Sequence, residues 1–341
     1  MKLKEWINVF VILLLLGISY YRFTNQTHTA RRTKVLLDTQ VEIFITSKSK
    51  DVNNLIEQAF SMIEAYELKF SYYNPKSVLY QINQESVSTR HDICEDFYNI
   101  LRLAEMIYHE SNHLYDVTIA NLFDIWDFEN EIVPSREMIE AAQQNIGFEH
   151  IRFGENYLYK PLNIRLNFGS LAKGYIIDKV MEFLIENGVR EAFINAGGDL
   201  RFFSNNGRRW RIGIQHPRNI YTTIAVLNIP DMAVTTTGDY ERYFIKDGRR
   251  YHHIINPKTG FPAQPNVSVT VFSKSAFMAD ALSTAAFVMN PFDAIEMIKL
   301  FENTEAIIYF YDENKEPVSL KTENIRRWLV SEQLRELVYE L

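Results

Sequence analysis

The stretch LNFGSLAKGYIIDKV, residues 166–180, carries the chain out of a polar loop and into a helix. Tyr175, Ile176, Val180 and Leu184 recur at helical spacing, and Gly188 stands where a C′ glycine belongs. The pattern predicts a helix from about Ala172 to Asn187 that starts near Leu171. Asn167, Gly169, Ser170, Lys173 and Asp178 crowd polar groups into the loop and the first two turns. Two readings of that start are open. Ser170 caps the helix while Lys173 lies on a solvated face; or the unpaired N–H groups, the positive dipole end and the Lys173 ammonium hold an anion, each charge interaction contributing ~0.3–1 kcal/mol.

Outward from this helix, the second half of the chain is strand-like. EAFINAGGDLRFFS (191–204), RRWRIGIQH (208–216), YTTIAVLNI (221–229), RYFIKDGRRYHHIIN (242–256) and NVSVTVFS (266–273) all read as strands, and Asp247-Gly248 is a hairpin turn. A second embedded helix runs from Ser275 to Met289. In the first half, KVLLDTQVEIFIT (34–46) alternates as a strand. A helix follows behind Asp51 as N-cap, with further helices over 96–110 and after Ser135. Hairpins mixed with long helices predict an α+β fold, with largely antiparallel sheets and packed helices. Neither a GxGxxG nor a Walker-type loop is present, so the two commonest nucleotide folds lose their signature.

With 341 residues, 47% hydrophobic and 23% charged, the chain can bury a substantial core. Its net charge of −7 leaves no basic footprint for nucleic acid. A single cysteine, Cys94, excludes an intramolecular disulfide and a cysteine-rich zinc site, so any metal must be held by oxygen and histidine. At the N-terminus, Lys2 and Lys4 precede a charge-free apolar run from Ile7 to Tyr21, somewhat short for a full span. Bulky Tyr20 and Tyr21 at its exit do not suit signal cleavage. Residues 1–33 are therefore expected to be a signal anchor and linker, retained in preference to the alternative of a cleaved signal peptide, with 34–341 as one domain outside the cytoplasm, which in a bacterium is the periplasmic side of the inner membrane.

Several segments could carry chemistry. In SKSAFMADALSTAAFVM (273–289), Asp280, Ser283 and Thr284 share one helical face amid apolar residues. A carboxylate so placed needs a partner: hard oxygens suit Mg²⁺, and a salt bridge to an arginine is the other solution. YHHIINPKTGFP (251–262) closes a strand with two histidines, of which alternation allows only one to reach a shared pocket. Gly197-Gly198-Asp199 in INAGGDLR, and the hydroxyl-rich AVTTTGDYERYF (233–244), permit close backbone approach to a ligand or serve as plain turns.

In order along the chain, LDTQVEI, SYYNPKSVLYQIN, YDVTIANLFDIWDF, LNFGSLAKGYIID, INAGGDLR, WRIGIQHP, TTTGDYERYF, HHIINPKTG and ADALSTA resemble the FAD:protein FMN transferases, the ApbE-like family. The resemblance implies a T-fold-like architecture and Mg²⁺-dependent transfer of FMN from FAD to a threonine or serine hydroxyl of an acceptor protein, releasing AMP. That acceptor would be a membrane redox subunit. It also implies metal ligation by Asp280, Thr284, Ser170 through its carbonyl, and, less regularly, Ser283. FAD contacts would come from Tyr73, Ala120, Asn121, Leu122, Asn167, Lys173 and Ile254, with His253 binding FAD and helping to deprotonate the acceptor hydroxyl. Gly198 and Asp199 fall in the family's glycine-rich turn, as structural residues first. Three departures stand out: Asn167 replaces a common aspartate, Leu37-Asp38 replaces Met-Gly, and the lipoprotein cysteine is missing. Two other functions fit the same segments, an FAD pyrophosphatase yielding FMN and AMP, and a non-catalytic extracytoplasmic flavin-binding protein.

Overall fold

Val41, Ile43 and Ile45 are fully buried along one face of a strand, as the alternation in VEIFIT requires. This strand belongs to a nine-stranded sheet in a computed structural model that describes residues 3–24, 26–85, 89–161 and 163–337. We number its strands β1 (His28–Leu36), β2 (Thr39–Ser47), β3 (Val189–Ala196), β4 (Asp199–Ser204), β5 (Ala233–Gly238), β6 (Asn266–Ser273), β7 (Glu305–Tyr311), β8 (Pro317–Lys321) and β9 (Arg335–Glu336). Their spatial order is their chain order. Every neighbouring pair is antiparallel except β8 with β9.

KVLLDTQVEIFIT is not one strand but the two arms of a hairpin. Leu37 and Asp38 both take positive φ, 55° and 57°, which folds β1 back on β2 through a two-residue turn. Within residues 1–33, those from His28 on are not linker, because β1 begins there. The hairpin at Asp247-Gly248 forms as the sequence predicts, with φ of 50° and 75°.

The longer helices are α1 (Leu3–Thr24), α2 (Val52–Phe70), α3 (Glu95–Glu110), α4 (Ala172–Glu186), α5 (Ala276–Val288) and α6 (Pro291–Lys299). Helices α2, α4 and α5 pack over one face of the sheet, where Phe60, Ile63, Leu184, Leu282 and Phe287 are buried in the main core. Each such side chain contributes roughly 1.5–3 kcal/mol relative to exposure. A three-stranded sheet of Trp210–His216, Asn219–Ile229 and Leu329–Glu332 closes the opposite face around Trp210, Leu227, Phe272 and Tyr309. With both faces covered, β6 is buried at every position. The α+β class holds.

In α1, Trp6, Ile7 and Phe10 through Leu16 are exposed. Among the described residues, no helix is long and apolar enough to cross a membrane.

Candidate active site

The loop ahead of α4 is fixed by side chains from elsewhere. Asn83 Nδ2 donates to the Leu166 carbonyl at 2.8 Å and Asn83 Oδ1 accepts from the Leu166 amide at 2.9 Å. The Asn167 amide donates to Val117 O at 2.7 Å, and Asn167 Oδ1 turns back to accept from the Gly169 amide at 2.8 Å. An aspartate would make the same turn, so this departure keeps the acceptor and removes a charge. Ser170 does not cap α4 with its side chain; its hydroxyl donates to Tyr115 OH at 2.9 Å.

Two residues of α4 set α5 against it. Asp178 accepts from Ser275 Oγ (2.6 Å) and from the Ala276 and Phe277 amides (2.9 and 3.0 Å), while Arg201 pairs with it at 3.3 Å. It caps the neighbouring helix and offers nothing to a ligand. Gly174 permits the close crossing: a Cβ there would lie 2.2 Å from the Ala276 carbonyl oxygen. Its amide, one of the orphan donors of the first turn, donates to Asp280 Oδ2 at 2.9 Å. The buried Asp280 carboxylate therefore sits at the positive end of α4.

These elements enclose a cavity of about 270 Å³ whose wall includes Asn167, Ser170, Lys173, Asp199, His253, Ile254, Asp280 and Thr284, with exposed Tyr73 at its mouth. A second cavity of about 380 Å³ lies over the Leu37-Asp38 turn and shares Tyr73, Asn167, Gly169, Lys173 and Glu241 with the first, so the two form one continuous cleft.

Lys173 is not on a solvated face. Its ammonium meets Asp199 Oδ2 at 2.5 Å. Burial opposes the charge on Lys173, but Asp199, Asp280 and Glu241 together hold its pKa above the ordinary lysine range. Asp280 has no salt-bridge partner among the described residues, which answers the arginine alternative. Its pKa is driven up by burial and then by the charge of Asp199, against the pull of Lys173 and the Gly174 amide. The ground around one ammonium is thus crowded with acid.

His252 and His253 diverge as strand alternation requires. His252 is fully buried, its Nε2 3.0 Å from Ala263 O and its Nδ1 accepting from the Ile254 amide. His253 is half-buried in the cavity wall, with Nδ1 3.3 Å from the Arg242 carbonyl, an arrangement that places the proton on Nδ1 and leaves Nε2 as the base. Burial, and then the neighbouring His252, lowers its pKa to about 4.

A fold with this cleft at the junction of two helices and the middle strands of the sheet has relatives. The ApbE family model matches residues 37–308. The chain belongs to the ApbE family. Curated ApbE relatives include the FAD:protein FMN transferase of Treponema pallidum, 27% identical over 305 residues, covering 82% of this chain and 84% of that one. The FAD:protein FMN transferase of Vibrio cholerae is 31% identical over 248 residues, covering 70% and 74%. The crystal structure of the ApbE protein of Thermotoga maritima superposes with a TM-score of 0.76 at 31% identity, covering 85% of this chain and 96% of that one. The flavin transferase ApbE of Vibrio cholerae, 24% identical, shows the same fold at a TM-score of 0.79, covering 89% and 100%.

Within this ApbE fold, Tyr73, Asn167, Ser170, Lys173, His253, Ile254, Asp280 and Thr284 are brought to one cavity. Four other expected positions are not. Ser283 is fully buried, and its hydroxyl donates to Asp280 O at 2.9 Å and meets Thr237 Oγ1 at 2.8 Å. Ala120 and Leu122 face the core, and Asn121 Nδ2 donates to the carbonyls of Asn145 and Asn163. Their neighbours Ile119, the N-cap of a short helix Ala120–Ile125, and Phe123, one turn on, line the cavity instead. Asp199, expected as a structural turn residue, also stands in the cavity wall and pairs with Lys173; an acid directly after a glycine pair is the signal the sequence offers for it.

Proposed function

We propose that this chain transfers the FMN half of FAD to a hydroxyl of an acceptor protein, as the names of its ApbE relatives state for them. The observation that carries the reading is a buried Asp280 carboxylate without a cation partner, in the same cleft as the N-terminus of α4 and Lys173. A pyrophosphate is an anion that such a helix start and ammonium attract, and the two adjoining cavities give room for the two halves of a dinucleotide.

The donor set fits a hard cation. One buried carboxylate, the Thr284 hydroxyl a turn further on and the main chain at Ser170 are all oxygen, and no group of three or more His, Cys, Asp and Glu side chains that could hold a metal occurs among the described residues. Mg²⁺ takes one or two protein oxygens, with substrate phosphate and water completing its shell. When bound, the cation supplies neutralisation of charge on the phosphoryl group being transferred. Lys173 holds the anionic substrate against the start of α4. His253, neutral at physiological pH, accepts the proton of an acceptor threonine or serine hydroxyl through Nε2. The hydroxyl oxygen then bonds to the FMN phosphorus, and the phosphorus–oxygen bond to AMP breaks.

The apolar, exposed α1 supports attachment of the catalytic domain to a membrane surface, near a membrane-associated redox acceptor; the extracytoplasmic side is proposed from Lys2 and Lys4 ahead of the apolar run. Incubation of the chain with FAD, Mg²⁺ and such an acceptor tests the reading by intact mass. A gain of one FMN on the acceptor is the expected result; AMP release with no adduct on any acceptor would replace transfer by hydrolysis.

A further inference from the structure

The strand β5 presents three consecutive threonines to the cleft, and two of their hydroxyls are spoken for. Thr236 Oγ1 meets Thr270 Oγ1 at 2.9 Å, and Thr237 Oγ1 meets Ser283 Oγ at 2.8 Å and Thr284 Oγ1 at 3.4 Å. Thr235 differs. It is only 2% exposed, it lines the cavity, and its Oγ1 has no hydrogen-bond partner among the described residues. A buried hydroxyl without a partner is costly, so an unpartnered one at a ligand cavity points to a partner brought by the ligand.

Strand alternation puts Thr235 on the same side of β5 as Thr237, the side that faces α5. The register pairs Ala233 with Arg201 and Val234 with Leu200, so Thr235 lies next beyond the last pair, near Asp199, the partner of Lys173. The acid nearest in register is thus already committed to an ammonium. With that acid held by Lys173, a partner for the Thr235 hydroxyl is left to a ligand, and the start of α4 at the same cavity attracts anions.

We propose that Thr235 is a substrate-contacting residue: its hydroxyl donates a hydrogen bond to a phosphate oxygen of the dinucleotide and contributes to binding it. This rests on the flavin-transfer reading for the identity of the dinucleotide. Thr235→Val keeps the shape and removes the hydroxyl, whereas Thr235→Ser keeps the donor.

The test measures binding of FAD, ADP and riboflavin to the full chain with Mg²⁺, together with melting of the ligand-free protein. Thr235→Val is expected to weaken FAD and ADP by about tenfold or more, the usual cost of losing a hydrogen bond to a charged group, and to leave riboflavin unaffected. Thr235→Ser is expected to stay close to the parent. Ligand-free Thr235→Val should melt no lower than the parent, since it has lost an unsatisfied group rather than a contact. Unchanged ADP and FAD affinity in Thr235→Val, or an equal loss for riboflavin, would overturn the proposal. A parent chain that bound ADP but no FAD would overturn the flavin reading alone, and the ADP arm would still decide Thr235.

Discussion

The amide of Gly174 in α4 donates to Oδ2 of Asp280 in α5 at 2.9 Å, and no side chain larger than hydrogen fits between the two helices at that point. A Cβ on Gly174 would meet the Ala276 carbonyl oxygen at 2.2 Å and Asp280 Cβ at 2.8 Å, and the first of these is backbone that cannot rotate away. Gly174→Ala is therefore expected to destabilise the protein by about 3 kcal/mol, at the upper end of ordinary overpacking, and to reduce activity by moving Asp280. Urea unfolding alongside the transfer assay checks both effects; a variant of parental stability and activity would show that the helices are free to separate.

Asp178 makes a second link between the same helices. Removing its carboxylate in Asp178→Ala frees the Ala276 and Phe277 amides and strands Arg201, for an expected loss of about 2 kcal/mol. Because Asp178 is outside the cavity wall, FAD affinity measured well below the melting transition should change little.

The paired histidines give opposite phenotypes. His252→Ala removes a buried ring bonded to Ala263 and Ile254 and is expected to cost ~2–4 kcal/mol of stability. His253→Ala should leave stability near the parent's and lower the transfer rate by ~10²–10⁴-fold, the usual worth of general-base help. With its pKa lowered to about 4, His253 stays neutral above pH 5, so its contribution should not fade between pH 8 and pH 6. Equal losses of rate and stability in both variants would remove the distinction.

Asp280 makes the metal-free protein sensitive to pH. Its folded pKa is raised above the ordinary 3.8, so the folded chain holds a proton that the unfolded chain has released. Its contribution is favourable at acid pH and is lost as the pH rises from about 4 towards the raised folded value. In EDTA, unfolding free energy should fall between pH 5 and pH 8, Asp280→Asn should flatten that fall, and millimolar Mg²⁺ should offset it in the parent only. A parent with no such slope would argue against a buried carboxylate that lacks a cation partner among the described residues.

The two helices that build the site were legible because each carries a signal of its own: apolar residues at helical spacing and a terminal Gly188 in one, and a near-continuous apolar run in the other. The outward turn of one histidine and the inward turn of its neighbour followed from strand alternation. What local pattern could not supply was long-range. That Asp178 would cap a helix 97 positions away, or that Asp199 would pair with Lys173, depends on which elements the sheet brings side by side. The Leu37-Asp38 hairpin was hidden because turns of this type favour Asn-Gly or Asp-Gly, and a leucine at positive φ in its first position gives no turn signal. Ser283, placed at ligand spacing by the helix period, is instead drawn off by the Asp280 carbonyl and Thr237.

The central claim is that a divalent ion rests on the Asp280 carboxylate where α4 begins. Crystals grown with Mn²⁺ in place of Mg²⁺ and with FAD, read by anomalous scattering, test it most directly. The account expects one anomalous peak about 2 Å from an Asp280 oxygen and within reach of Thr284 and a flavin-nucleotide phosphate. FAD bound in the cleft with no peak at Asp280, or a peak held by other residues, would contradict it.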